Sequence, residues 1–405
     1  MPKSSFQPIP ESAQEVVITS VGVISPLGRN YPETVASLKA GRDCAAPVTG
    51  FDVSKCRCQT AAQIPQEWLE TRSSNSTPAA SRLHRASAMT MAALEELTAI
   101  DPEYRPEMLI VGTTSGGMSF GEQFLRAAIH GSSLRNAPSL LSNYNPQKMV
   151  LDALESVGFR IPSQIIANAC ASGTNAIGHA FDLVRRGKFQ RVVCGGFDAI
   201  SELVFVGFDS LQASTPAKCS PFDKDRTGLI LGEGAAWLAL ESRKSAELRG
   251  AKILGKITGY GISTDNYHLT QPHPSGIGPR LAMERALAEA GREDVDYINA
   301  HGTATTFNDA TEGTAIAELF GDRVPVSSTK SMMGHSLGAA GAIEAVISLM
   351  ALREQFLPPN IHFTTPDLPI DIVANQARPA TNLQSVLSNS FGFGGTNASL
   401  VIEQA

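Results

Sequence analysis

Short runs of β-branched residues, separated by helix-length amphipathic stretches, constrain this chain more than any other feature. Such alternation calls for helices layered on sheets, an α/β architecture. Strand–turn–helix units recur in both halves. Gln164–Ala167 reads as a strand and Asn168–Cys170 as its turn; Ile177, Ala180, Phe181 and Val184 then recur at the i, i+3, i+4, i+7 spacing of a buried helical face. Gly187, just past Arg185 and Arg186, is a natural C′ residue for that helix. Downstream, Val324–Ser328 reads as a strand and Thr329–His335 as a turn, and the following helix buries Ile343, Val346, Ile347 and Met350. A third unit has Tyr297–Ala300 as strand and His301–Asn308 as loop, with Asp309 and Glu312 in capping-box spacing at the helix start. Val16–Ser25 and Ile253–Ser263 share a strand opening, a glycine interruption and a closing Ile-Ser. That weak self-similarity fits an internal duplication, and equally two unrelated strands of common composition.

A chain of 405 residues, 42% of them hydrophobic, can bury a sizeable core. Its net charge of −6, without a long basic run, argues against nucleic-acid binding. The opening MPKSSFQPIPESAQ lacks the apolar core of a signal peptide, and no apolar run approaches the ~18 residues that span a bilayer. The six cysteines form no disulfide framework, and Cys56-Arg-Cys58 has no second pair with which to hold a metal. A cytoplasmic protein, with no membrane partner and no metal, is expected. Arg72–Ala80 reads as a polar loop, and Gly131–Gln147 as an irregular segment beside a site.

Cys170 falls where a strand gives way to small residues and then to a helix. Unpaired N–H groups and the helix dipole at such a turn favour a thiolate and can hold an oxyanion. His301 and His335 each follow an apolar strand in a turn leading to a helix, the position where α/β sheets gather their sites. Lys330 lies in the His335 turn, and Glu344 follows on the helix, within reach if the turn folds back. Asn389-Ser-Phe-Gly-Phe-Gly-Gly-Thr-Asn397 interleaves glycines with phenylalanines, which argues against an ordinary strand. A loop presenting N–H groups, with aromatics to shut a channel, fits it better.

Four ordered motifs carry a resemblance: Ala169-Cys170-Ala-Ser-Gly173; His301-Gly-Thr-Ala-Thr305 with Asp309 and Glu312; Lys330-Ser-Met-Met-Gly-His335 through Glu344; and Asn389 to Asn397. Together they resemble the β-ketoacyl-acyl carrier protein synthases of the elongating Cys-His-His type, from about Val16 to the C-terminus. The resemblance implies the thiolase fold, with duplicated halves in an α-β-α-β-α sandwich. The nucleophile half is expected at 14–248, and the half with the histidines and gate at 249–405.

It further implies a decarboxylative Claisen condensation in which Cys170 takes an acyl group from acyl carrier protein. The oxyanion is held by the N–H groups of Cys170 and Phe393. Neutral His301 and His335 then stabilise the enolate of malonyl-carrier protein. Phe393 and Gly394 belong to the oxyanion site and gate, Lys330 pairs with Glu344, and Asp309, Glu312 and Asn397 support the site. No cofactor is bound, because substrates ride on the carrier's phosphopantetheine. The partners implied are the carrier and a second subunit, identical or ketosynthase-like.

Some positions depart from the family. Ala304 and Thr306 replace a serine and a proline, and Asn168 and Asn175 add amides near the thiol. Ser115 stands where many relatives carry a bulky aliphatic residue lining the acyl pocket. Ser220 replaces a carrier-docking arginine, leaving Lys218 as its substitute. These departures lean toward a specialised type II polyketide or polyene pathway. The alternatives are a housekeeping fatty-acid elongation synthase and a non-catalytic partner subunit of the chain-length-factor kind. The presence of Cys170 speaks against the last.

Overall fold

The computed structural model describes residues 13–70, 83–130 and 137–405. Its main sheet has eleven strands. From edge to edge they are Asp371–Ile372, Pro325–Ser327, Tyr297–Asn299, Ser385–Gly392, Thr396–Glu403, Gly255–Thr264, Val16–Ile24, Gly234–Ser242, Arg191–Asp198, Met108–Gly112 and Ser163–Ile166. The same five-strand pattern occurs twice in this order. In each copy the first strand pairs antiparallel with the fifth, and the fifth antiparallel with the fourth. The fourth runs parallel to the second, and the second parallel to the third. The two first strands, Val16–Ile24 and Gly255–Thr264, meet in a three-residue antiparallel join.

These are the strands whose self-similarity the sequence shows, and their glycines have a common cause. A Cβ on Gly22 would lie 1.8 Å from Ala93 O, and one on Gly261 would lie 2.0 Å from Ala282 O. Each glycine lets an outer helix, Arg85–Ile100 or Ile277–Ala290, rest its backbone directly on the sheet.

Alternation along the strands separates the core layers. Val386, Leu400 and Ile402 join the central cluster, while Leu387 and Val401 face the outer one. Between the sheets lie two helices, Ser172–Arg185 and Ala340–Glu354, each following the third strand of its copy. Outer helices cover the other faces, giving five layers. The expected apolar face of Ser172–Arg185 is buried, and Gly187, at φ +66°, closes its end by donating to Val184 O. The second central helix buries the expected Ile343, Val346, Ile347 and Met350 and more besides. Every residue from Ala340 to Leu352 is buried, not one face, because sheets cover it on both sides.

Three local expectations are corrected. The Asn389–Asn397 segment forms the tip of a hairpin, with Phe391 paired to Asn397 and Gly392 to Thr396. Asp309 and Glu312 do not cap their helix, Thr306–Phe320; Thr305 is its N-cap and makes no side-chain cap bond. Gly131–Gln147 is not irregular where described, since Ala137–Ser142 and the start of Pro146–Ser156 are helical. Arg72–Ala80 lies outside the described residues. Among the described residues, no helix is long and apolar enough to cross a membrane.

Candidate active site

Three loops at the carboxyl ends of strands converge on one cavity of about 190 Å³, lined among others by Cys170, His301, His335, Thr303, Asn397 and Phe393. Cys170 follows the third strand of its copy and His335 follows the third strand of the other, so the duplication brings thiol and imidazole together from equivalent places. Each loop also holds a non-glycine residue in the left-handed region: Ala169 at φ +57°, Ala304 at +65° and Leu337 at +53°. Such backbone costs on the order of 1–3 kcal/mol apiece, and packing must hold it in place.

His335 Nε2 lies 3.0 Å from Cys170 Sγ. The His301 ring stands 5.3 Å from that of His335 and nearly perpendicular to it, and Phe391 packs 5.9 Å from His301. Cys170, His301 and His335 are all buried. Burial, reinforced by the Lys330 charge, holds both imidazoles well below their usual range, so both are neutral at physiological pH.

The thiol departs from what its place before a helix implies. Burial pushes Cys170 up to about 12, helped by the Asp198 charge; Lys330 and the N–H groups of Phe393 and Cys170 oppose it. Helix-terminus effects reach ~2 kcal/mol at best, or roughly 1.5 pKa units, whereas full burial moves a group by up to ~3–5 units. Desolvation wins, and the resting group is a thiol. The N–H groups of Phe393 and Cys170 nonetheless act on the sulfur, close enough to reach the oxygen of an acyl group bound there.

Lys330 and Glu344 form a fully buried ion pair, and burial raises Glu344 to about 7 despite the nearby ammonium. Glu312 accepts from the backbone N–H of His301 and of Gly302, both at 2.8 Å, and from Asn389 Nδ2 at 3.1 Å. Asp309 accepts from the N–H of Ala304 and of Phe222. The two carboxylates therefore brace the histidine loop. Asn397 donates to Asp265 Oδ1 at 2.8 Å and steadies the hairpin tip, where Phe393 stacks on Phe208 with ring centroids 5.5 Å apart. The Gly394 N–H is spent on Leu269 O at 2.7 Å, so Gly394 shapes the turn and offers no donor to an oxyanion.

Two family models together cover most of the chain, up to residue 364. Residues 13–246 match the "Beta-ketoacyl synthase, N-terminal domain" and residues 254–364 the "Beta-ketoacyl synthase, C-terminal domain". The chain belongs to the β-ketoacyl synthase family. It is 36% identical to a 3-oxoacyl-[acyl-carrier-protein] synthase 2 of Synechocystis, over 96% of this chain and 98% of the relative. A protein of the same name from Coxiella burnetii is 37% identical over 96% and 99%. Among solved structures, the ishigamide ketosynthase/chain length factor superposes with a TM-score of 0.91 at 33% identity, covering 97% of this chain and all of that one. Like the rest of its family, this β-ketoacyl synthase is an acyl-transferring condensing enzyme with the thiolase fold.

Other residues singled out from the sequence lie away from the cavity. The Ser115 hydroxyl turns from it and donates to Asp198 Oδ1 at 2.8 Å. Asn175 accepts from Tyr260 OH at 2.6 Å, and Lys218 is a surface cation paired with Asp43 at 2.5 Å. Asn168 lies beside the nucleophile turn, where its backbone N–H donates to Ser172 Oγ. Sequence reasoning missed Asp198 and Phe208, and it named Asn389 and Phe391 only as parts of their motif, without the contacts they make with Glu312 and His301. Only Asp198 carried a signal, as a lone carboxylate closing the apolar run Val192–Phe197.

Proposed function

We propose that this synthase elongates acyl chains carried on acyl carrier protein, by acyl transfer to Cys170 followed by decarboxylative condensation. One observation carries the assignment: Cys170 Sγ stands 3.0 Å from His335 Nε2 in a buried site shared with His301. Because the resting sulfur is protonated, His335 Nε2 takes the thiol proton as Sγ attacks the acyl thioester, then returns it to the departing carrier thiolate. The N–H groups of Cys170 and Phe393 hold the tetrahedral oxyanion. Malonyl-carrier protein then loses CO2, and its enolate oxygen is held by a ring N–H of neutral His301. His335 joins as a second donor when its proton resides on Nε2. The enolate carbon attacks the acyl-cysteine carbonyl and expels the Cys170 thiolate, which recovers the proton that the overall reaction consumes.

Lys330, paired with Glu344, orders the His335 turn and biases both imidazoles toward neutrality. Phe393 gates the cavity, and Asp309, Glu312 and Asn397 hold the loops. The substrates ride on phosphopantetheine, with no bound cofactor. The nucleophile half spans 14–248 and the histidine half 249–405, in a cytoplasmic dimer of either identical or ketosynthase-like subunits. The departures from the family pattern at Ala304, Thr306 and Ser220 favour a specialised polyketide or polyene substrate over a housekeeping saturated one. Retention of Cys170 and both histidines favours a catalytic subunit over a chain-length-factor role.

The test presents saturated, unsaturated and β-keto acyl-carrier proteins, with malonyl-carrier protein, and follows intact mass. The expected result is a single acyl adduct that Cys170→Ala abolishes. His335→Ala slows its formation by about 10²-fold or more, while His301→Ala keeps the adduct and loses decarboxylation. Absence of an adduct with every primer overturns the reading. Equal or faster use of saturated primers overturns the pathway assignment alone.

A further inference from the structure

Asp198 ends the strand Arg191–Asp198 fully buried, and among the described residues no lysine or arginine forms an ion pair with it. Five hydrogen-bond donors surround it instead. Oδ1 accepts from Thr113 Oγ1, Ser115 N and Ser115 Oγ, each at 2.8 Å. Oδ2 accepts from Thr114 N at 2.8 Å and from Gly338 N at 2.7 Å. Four of these bonds hold the loop after the strand Met108–Gly112, and the fifth holds the turn three residues after His335. The same loop reaches the nucleophile, since Thr114 Oγ1 donates to Ala169 O, one residue before Cys170, at 3.2 Å.

The backbone here is packed too tightly for side chains. A Cβ on Gly338 would fall 2.7 Å from Thr114 N and 2.8 Å from Asp198 Oδ2, and one on Gly173 would fall 2.8 Å from Gly338 O. Loop, nucleophile helix and histidine turn thus touch backbone to backbone around one carboxylate.

We propose that Asp198 is a positioning residue for acyl transfer: it clamps the Thr113–Ser115 loop to the turn after His335 and so sets the approach of His335 to Cys170. The inference rests on the roles given above to Cys170 and His335. It also gives the Ser115 hydroxyl a task, as part of the clamp. The clamp acts mainly on acylation, where His335 Nε2 must meet Cys170 Sγ; in decarboxylation the leading donor is His301, whose loop has its own braces in Glu312 and Asp309, and His335 adds only an auxiliary bond. Displacing a reacting group by ~1 Å costs about 10²-fold. Loss of the clamp should therefore slow acylation and spare decarboxylation.

Asp198→Asn keeps the volume of the side chain but turns an amide group, itself a donor, toward the donors around it. Wild type and variant are compared for Cys170 acylation by hexanoyl-phosphopantetheine, read by intact mass in a single turnover, and for CO2 release from malonyl-phosphopantetheine. Acylation in D198N is expected to fall about 10–100-fold while CO2 release stays within about threefold. Ser115→Ala and Thr113→Val, alone and together, remove the hydroxyl donors without touching the carboxylate, and a graded loss of acylation alone is expected.

Equal falls in both half-reactions, or wild-type acylation in the double variant, overturn the assignment. If D198N does not fold, the hydroxyl series decides. A wild type that never acylates Cys170 overturns the functional reading and this inference with it. A wild type that acylates no faster than D198N overturns the role of Asp198 alone.

Discussion

Cys170 meets two opposing influences, and their sizes decide its state. The N–H groups and Lys330 favour the thiolate, while burial and the Asp198 charge favour the thiol and prevail, at about 12. A thiol held up at about 12 is protonated throughout the physiological range, and its thiolate fraction rises tenfold per pH unit until that pKa is reached. Alkylation of Cys170 by iodoacetamide, followed on its own peptide, should therefore still be climbing at about pH 10; a plateau below about pH 9 would show that the N–H groups win. The position of Cys170, His301 and His335 was legible in the sequence, because each lies between an apolar strand and the long helix that follows it, although the expected turn before His335 holds a short helix, Lys330–Met333. The thiol's protonation state was not, since desolvation comes from elements remote in sequence. Asp198 stayed hidden for a similar reason. Its donors lie at 113–115 and 338, and no local spacing connects them.

The hairpin made by Ser385–Gly392 and Thr396–Glu403 shows where local rules mislead at the scale of an element. Glycine ordinarily weakens a strand, yet Gly392 belongs to one because a Cβ there would come 3.1 Å from Cys170 N. Close approach to the nucleophile outweighs local propensity. Gly394 and Gly395, at φ +82° and +78°, make the turn, and only Phe393 between them and the strand can act as a door. Its stacking on Phe208 is worth about 0.5–1.5 kcal/mol, a factor of about 2–10 in the open population. Phe393→Ala should accelerate Cys170 alkylation by that factor at fixed pH, and an unchanged rate would remove the gate from the mechanism. Helices were read more faithfully than this hairpin. Their 3.6-residue periodicity survives in sequence, except in Ala340–Glu354, where burial on all sides erases the polar face.

For the whole molecule, the duplication supplies both the reason the site exists and the reason the fold should act as one unit. Each copy ends its third strand at the same level, one with Cys170 and the other with the turn of His335, and the two central helices hold these ends together. Alternation in the sequence was enough to show the layers. The pairing of copies was only hinted at, because strand order is set by contacts such as Val16 with Ile257 that leave no periodic trace. The helix Ala340–Glu354 packs against strands of both copies, including Arg191–Asp198 and Ser385–Gly392, so neither sheet can keep its inner face covered without it. Ile347, fully buried in that layer, is the place to ask whether the copies unfold separately. Ile347→Ala should cost about 2–5 kcal/mol through lost burial and a residual cavity. If the central layer is shared, this cost appears as one transition shifted downward, with amide protection falling together in Arg191–Asp198 and Ser385–Gly392. Protection lost in one strand and kept in the other would mean that each copy stands alone, with the active site merely their contact.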